Sequence, residues 1–264
     1  METNQLMDIA MNAAVLAGDK IMEVYVSGDF GIVEKQDSSP LTMADRKAHQ
    51  LISQLLAPTA LPLLSEEGIH QPYGERAQWH TFWLVDPLDG TKEFISRNGE
   101  FTVNIALISE NKSIAGVVYS PVSKDIYIGI VGSGAWKMKN PGADCTVTRI
   151  SQYGARLPES NTKQSFTVAV SRTHLDPQTL TFMEDMRKQH PALEIIRKGS
   201  SLKFCLIAEG VADIYPRFAP TMEWDTAAGH ALVKAVGKNV YLTDRQTELI
   251  YNKENLTNPY FIVL

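Results

Sequence analysis

The run Thr81-Phe82-Trp83-Leu84-Val85-Asp86-Pro87-Leu88-Asp89-Gly90-Thr91 decides how the chain is read. Thr81 to Val85 has the composition of a buried strand, and Asp86-Pro87 is expected to stop it. Two aspartates then stand three apart in a tight turn. Pro87 fixes one backbone dihedral and Gly90 permits an unusual one, so both carboxylates can face one point. Two acids held together at the mouth of a sheet repel unless a cation compensates. Hard oxygen donors suit Mg2+ or Ca2+ rather than zinc. Gly90, Thr91 and Lys92 are expected to open a helix whose free N–H groups can receive a phosphate. Taken alone, D-x-x-D-G is more often an ordinary Asp-rich turn before a capped helix.

Working outward, apolar residues at helical spacing predict a helix from Gln5 to Val26, interrupted at Gly18, and a second from about Thr42 to Leu56. Leu61 to Leu64 reads as a short strand ending at Ser65-Glu66-Glu67-Gly68. Residues 101–108 and 114–119 read as a hairpin across Glu110-Asn111-Lys112, and Asp125 to Val131 continues the sheet. Pro, Gly, Ser and Asn collect between Gln152 and Gln164, which places a boundary near 155/156. Beyond it strands (166–170, 193–196, 212–215) alternate with helices (177–189, 201–209, 225–235). The expected fold is therefore α/β: an α+β half, 1–155, followed by a layered α/β half, 156–264.

The chain has 264 residues, 44% hydrophobic and 21% charged, with a formal net charge of -5. A mildly acidic protein is a poor partner for a nucleic-acid polymer or an anionic membrane. A few placed cations could still hold one small phosphorylated ligand. Cys145 and Cys205 are too far apart for a zinc pattern or a disulfide framework, so two buried thiols are expected. The first residues carry no signal-peptide pattern, and no stretch approaches the roughly 20 apolar residues of a membrane span. The expected location is the cytoplasm, with peripheral contact to the inner membrane left open, and a monomer is the favoured state.

Four further acids, in three places, have ordinary explanations as well. Glu66-Glu67 lies at a strand end and would usually be solvated. Asp225, in Glu223-Trp224-Asp225-Thr226, looks like a helix N-cap, which could still turn one oxygen to a metal. Asp45 in Thr42-Met43-Ala44-Asp45 resembles a capping box. The remaining histidines, at 49, 70, 80, 190 and 230, show no ligand spacing and are expected to be structural or surface residues.

Together, Asp45, Glu66-Glu67, Asp86 through Thr91, Trp224-Asp225 and Gly237 resemble the lithium-sensitive, magnesium-dependent phosphatase superfamily that includes inositol monophosphatase and fructose-1,6-bisphosphatase. Lys238 departs from the pattern, where a second glycine is usual. Asp89-Gly90-Thr91-Lys92-Glu93-Phe94, Gly199-Ser200-Ser201-Leu202-Lys203 and Tyr215-Pro216-Arg217-Phe218 are most similar to the bacterial 3'(2'),5'-bisphosphate nucleotidase branch. The resemblance implies a layered αβαβα fold with the active site between its halves. It implies two or three Mg2+ ions on Glu66, Asp86, the Leu88 carbonyl, Asp89 and Asp225. Asp45 and Thr91, with Glu66, would then activate the attacking water, and Gly90 and Thr91 would hold the phosphate in line. It places Ser200, Lys203, Arg217 and, more weakly, His174 around a second phosphate. Without it, Lys203 and Arg217 would be read as solvated charges and His174 as a loop residue. The implied reaction converts 3'-phosphoadenosine 5'-phosphate to AMP and phosphate, in the service of sulfur assimilation. The rivals are an inositol or other sugar-phosphate phosphatase, and a non-catalytic nucleotide sensor.

Overall fold

The computed structural model describes residues 1–34, 40–159, 165–172 and 176–264. The fold is a five-layer α/β stack built around the strand that ends in the two aspartates. Along β4 (Thr81–Asp89), Phe82 and Leu84 face one cluster of apolar side chains while Trp83 and Val85 face another. Both faces of the sheet are covered, so the strand reads as a continuous apolar run rather than an alternating one.

The first layer is α1 (Thr3–Ser27) with α2 (Met43–Leu56), joined through the short β1 (Val33–Glu34) and β2 (Pro40–Leu41) ribbon. The predicted interruption at Gly18 does not occur. α1 runs through it, because a Cβ there would lie 2.4 Å from the Tyr119 ring, and the missing side chain lets the sheet approach. Thr42 caps α2 and Asp45 closes the capping box, as the sequence suggests.

The second layer is a seven-stranded sheet in the order β3 to β9. β3 (Leu63–Ser65) is parallel to β4, which α3 (Tyr73–Arg76) precedes. The rest is antiparallel: β5 (Thr102–Ser109), β6 (Lys112–Ser120), β7 (Asp125–Ile130), β8 (Gly134–Lys139) and β9 (Ala155–Leu157). The turn between β5 and β6 holds Glu110 and Asn111 at φ 48° and 61°, the left-handed pair that a two-residue hairpin needs. α5 (Val147–Tyr153) lies between β8 and β9, and β9 runs across the expected boundary at 155/156.

The third layer is α7 (Leu202–Glu209) and α8 (Glu223–Ala235), packed on the sheet face opposite α1. Contact is close: a Cβ on Gly116 would lie 2.6 Å from the Ala228 carbonyl, and one on Gly129 would lie 2.5 Å from Leu232 Cα. The fourth layer joins the parallel pair β10 (Thr167–Ser171) and β11 (Glu194–Lys198) to a trio ordered β12 (Tyr215–Arg217), β14 (Phe261–Val263), β13 (Val240–Leu242). A single parallel bridge from Val168 to Ile214 connects the two. The strand predicted over 212–215 is thus an isolated bridge followed by β12. α6 (Pro177–Gln189) forms the fifth layer, with Met183 against Val168, Val170 and Ile262. Cys145 and Cys205 are buried free thiols. No described helix is long and apolar enough to cross a membrane.

Candidate metal and phosphate site

The strand expected to stop at Asp86 continues to Asp89, with a bulge: Asp86 pairs with Asn104, and pairing resumes at Asp89 with Thr102. The bulge replaces the expected simple turn and sends both carboxylates to the sheet's end. Asp86 is buried, and its Oδ1 accepts the Leu88 N–H at 3.0 Å. Gly90 follows at φ 93°, where a Cβ would lie 3.2 Å from the Glu100 carbonyl. It caps the five-residue α4 (Thr91–Ile95).

Asp225 is not the N-cap of α8. Met222 holds that place, and Asp225 sits one turn in, accepting the Met222 N–H at 2.8 Å. The shift still carries its carboxylate to the sheet's end, so Asp86, Asp89 and Asp225 each bring an oxygen within 4.8 Å of the others. Burial, then repulsion from Glu66, Asp89 and Asp225, pushes the Asp86 carboxyl well above its usual range. Burial, then Asp89 and Glu66, does the same to Asp225. Glu66 follows β3 and stands outside that triad, on the same cavity wall. An all-oxygen set that repels itself this strongly fits a hard divalent cation.

Asp89 is held by neutral donors. Its Oδ2 accepts from the Ser200 hydroxyl at 2.9 Å, the Ser201 hydroxyl at 2.7 Å and the Asn104 amide at 3.2 Å. The single Ser201 proton is also within reach of the Asp225 carbonyl, at 2.9 Å. Asn104 and Ser201 are site residues that the sequence reading did not single out, although Ser201 lies inside a stretch that carries the resemblance.

Asp45 and Thr91 meet as expected. The Thr91 hydroxyl donates to Asp45 Oδ1 at 3.2 Å, across 46 positions of sequence. Asp45 Oδ2 accepts the Thr42 N–H at 2.7 Å and the Thr42 hydroxyl.

Glu66, Asp86, Leu88, Asp89, Gly90, Thr91, Ser200, Lys203, Arg217 and Asp225 all line one cavity of about 340 Å³. Asp45 lies behind Thr91, and His174 lies outside the described residues. Lys203 is no solvated charge: it is buried, and its ammonium donates to the Ser200 and Lys198 carbonyls over the Tyr215 ring. Burial pulls its pKa down to about 8. Arg217 donates to the Pro220 carbonyl at 3.2 Å, and its buried Nε has no hydrogen-bond partner among the described residues. The cavity therefore has a carboxylate wall and a cationic wall, which is the charge pattern for a phosphate ester carried beside a cation.

Packed against Gly90, Glu100 takes the Arg172 guanidinium at 2.7 and 2.6 Å, the Gly199 N–H at 2.8 Å and Lys198 at 3.2 Å. Burial would raise its pKa, but these donors hold it at about 2. His230 is buried between Tyr251 and Asn239, a structural role in line with the sequence reading.

The model of the inositol monophosphatase family matches residues 2–259. The chain belongs to that family. Within it, the chain is 44% identical to the 3'(2'),5'-bisphosphate nucleotidase CysQ of Escherichia coli (strain K12), over 98% of this chain and 99% of that protein. It is equally 44% identical to the CysQ of Salmonella typhimurium, over 98% of each. Among solved structures, CysQ from Bacteroides thetaiotaomicron superposes with a TM-score of 0.89 at 49% identity, covering 98% of this chain and 96% of that one. A Thermotoga maritima inositol monophosphatase shares the fold with a TM-score of 0.74 at 22% identity, covering 97% and 91%.

Proposed function

We propose that the chain is a magnesium-dependent phosphatase that hydrolyses the 3'-phosphate of 3'-phosphoadenosine 5'-phosphate to AMP and phosphate. The observation that carries this reading is the Asp86–Asp89–Asp225 triad lining the same cavity as Lys203 and Arg217, with the Thr91–Asp45 pair at its edge. Its near-full-length likeness to bisphosphate nucleotidases supports the substrate class.

Glu66, Asp86, Asp89, Asp225 and the Leu88 carbonyl would hold two or three Mg2+ ions. When bound, Mg2+ supplies Lewis acidity: it makes water a better nucleophile at neutral pH and offsets charge on the transferring phosphoryl group. The chain's own groups handle the proton and the orientation. Because the Thr91 hydroxyl points its hydrogen at Asp45, its lone pairs are free to take a proton from the attacking water. Asp45 can accept the relayed proton, and the two Thr42 donors keep its carboxylate fixed for the transfer. N–H groups at Gly90 and Thr91 would keep the phosphate in line.

Ser200, Lys203 and Arg217 would receive the phosphate that is not cleaved, and the unpartnered Arg217 Nε supports that role. In this reading residues 1–155 supply most of the metal ligands and 156–264 supply the second-phosphate pocket. The enzyme would act in the cytoplasm, serve sulfur assimilation and be inhibited by lithium. The test is phosphate release with Mg2+ from 3'-phosphoadenosine 5'-phosphate against inositol 1-phosphate, with Asp89→Asn as control. A strong kcat/KM preference for the nucleotide, lost in the control, is expected. Preference for inositol 1-phosphate would remove the roles given to Lys203 and Arg217.

A further inference from the structure

We propose that Glu100 is a positioning residue of the metal site: by gripping the Lys198–Ser201 segment, it fixes the two serine hydroxyls that hold Asp89. The inference rests on reading Asp89 as a metal ligand, and it concerns a residue that touches neither metal nor substrate.

The chain of contacts is direct. Glu100 lies between α4 and β5, on the same half of the molecule as Asp89, while residues 198–201 connect β11 to α7 in the other half. One carboxylate collects four donors across that gap. Arg172 binds both of its oxygens through Nε and Nη2, the Gly199 backbone N–H binds Oε2, and the Lys198 ammonium binds Oε1. Such charge-assisted, two-pronged pairing fixes direction as well as distance.

Gly199 is seated with no slack. A Cβ there would lie 2.8 Å from Glu93 Cγ and 2.9 Å from the Glu100 carbonyl. The next residue, Ser200, is held at φ 51°, a conformation that a non-glycine residue keeps only when its surroundings over-determine it. Two devices do so here: Glu100 on the Gly199 N–H, and the buried Lys203 ammonium on the carbonyls of Lys198 and Ser200. The product of this strained turn is a pair of adjacent hydroxyls, Ser200 and Ser201, both directed at Asp89 Oδ2. Both hydroxyls reach that one oxygen, and the carboxylate is thereby turned and held before any cation arrives.

Loss of a group hydrogen-bonded to a metal ligand typically changes metal affinity by about 10- to 100-fold, and Ser200 and Ser201, which Glu100 positions, are such groups for Asp89. Glu100→Gln keeps the size and one oxygen for the Gly199 N–H, but it removes the charge that holds Arg172 and Lys198. Titrating Mg2+ into the purified full-length variant by calorimetry, without substrate, is expected to show affinity reduced about 10-fold, with a melting temperature in EDTA near that of the wild type. Ser201→Ala should weaken binding similarly, and the double variant should lose less than the two single losses combined, because both act through Asp89. Arg172→Ala, an exposed change that leaves the fold intact, should give a smaller loss in the same direction; it decides the matter should Glu100→Gln not fold.

Unchanged Mg2+ affinity in Glu100→Gln with a lowered melting temperature would overturn the proposal and leave Glu100 a structural clamp. Full additivity in the double variant would overturn its route through the serines. Wild type that binds Mg2+ but releases no phosphate, with Glu100→Gln still binding weakly, would retain this inference while removing the proposed reaction.

Discussion

Replacing Asp86 by asparagine should make the metal-free protein more stable and the metal-loaded protein less so. Asp86 is buried, and its carboxyl is pushed up first by burial and then by Glu66, Asp89, Asp225 and Asp45. An aspartate harder to ionise folded than unfolded contributes stability while protonated, and that contribution is lost as pH rises through the folded value. In EDTA the wild type therefore meets this conflict increasingly as pH rises above the ordinary aspartate range. Asp86→Asn removes it and keeps the oxygen that accepts the Leu88 N–H. A single stabilising substitution is commonly worth about 0.5–2 kcal/mol. For a chain of 264 residues, an unfolding entropy near 2.1 cal/mol/K per residue converts that to a melting temperature roughly 1–4 °C higher.

The gain should shrink toward zero as pH falls below the ordinary aspartate value of about 3.9. Mg2+ at about 100 times its dissociation constant should stabilise the wild type by about 2.7 kcal/mol, or about 5 °C, and leave the variant almost unmoved. The two melting curves should thus exchange order between EDTA and Mg2+. Scanning fluorimetry of both proteins across pH, with and without Mg2+, reads all four values. A variant that melts below the wild type in EDTA at pH 8, or that keeps the Mg2+ shift, would refute the account of the acidic cluster.

Other perturbations separate the remaining roles. Asp45→Asn should lower kcat about 10²- to 10⁴-fold with little change in Mg2+ affinity measured by calorimetry, since Asp45 is given a proton and not a metal to hold. Arg217→Lys should raise KM for the bisphosphate about 10- to 100-fold at nearly constant kcat, seen in steady-state kinetics, because a fork is replaced by a point charge. The buried Lys203, with its pKa pulled down to about 8, loses its charge above that pH, so KM should climb there; Lys203→Met should raise KM at neutral pH and flatten the climb. Gly129→Ala, whose Cβ would meet Leu232 Cα at 2.5 Å, should cost about 1–3 kcal/mol in urea unfolding.

Much of the fold was legible because its apolar runs are long. α1, α2, α6 and the strands from β4 to β7 stand close to where periodicity puts them. β8 was missed because Lys137 and Lys139 break the apolar signal of an outer strand. β13 and β14, at three residues each, are too short for any period to register, and they exist because each pairs with a neighbour brought from far along the chain. Asp225 was misread as an N-cap because aspartate favours that position, and only the backbone reveals that Met222 holds it.

The site divides along the same line. Its acids and cations were legible as motif residues, and the cavity unites them. The neutral donors that aim Asp89 were not, because serine and asparagine carry no signal until the fold places Ser201 and Asn104 beside it, 112 and 15 positions away.

α8 lies against the large sheet closely enough that Gly116 and Gly129 cannot bear a side chain, and the same helix delivers Asp225 to the triad. The position of one carboxylate of the triad is therefore set by the seam between a helix and a sheet, with little local freedom. Changes far along that seam will register at the cleft as a displaced carboxylate. Heat-labile activity in this protein is expected to arise from packing faults beneath the triad at least as readily as from changes to the triad itself, and restoring substitutions are expected on the facing layer, out of reach of any substrate.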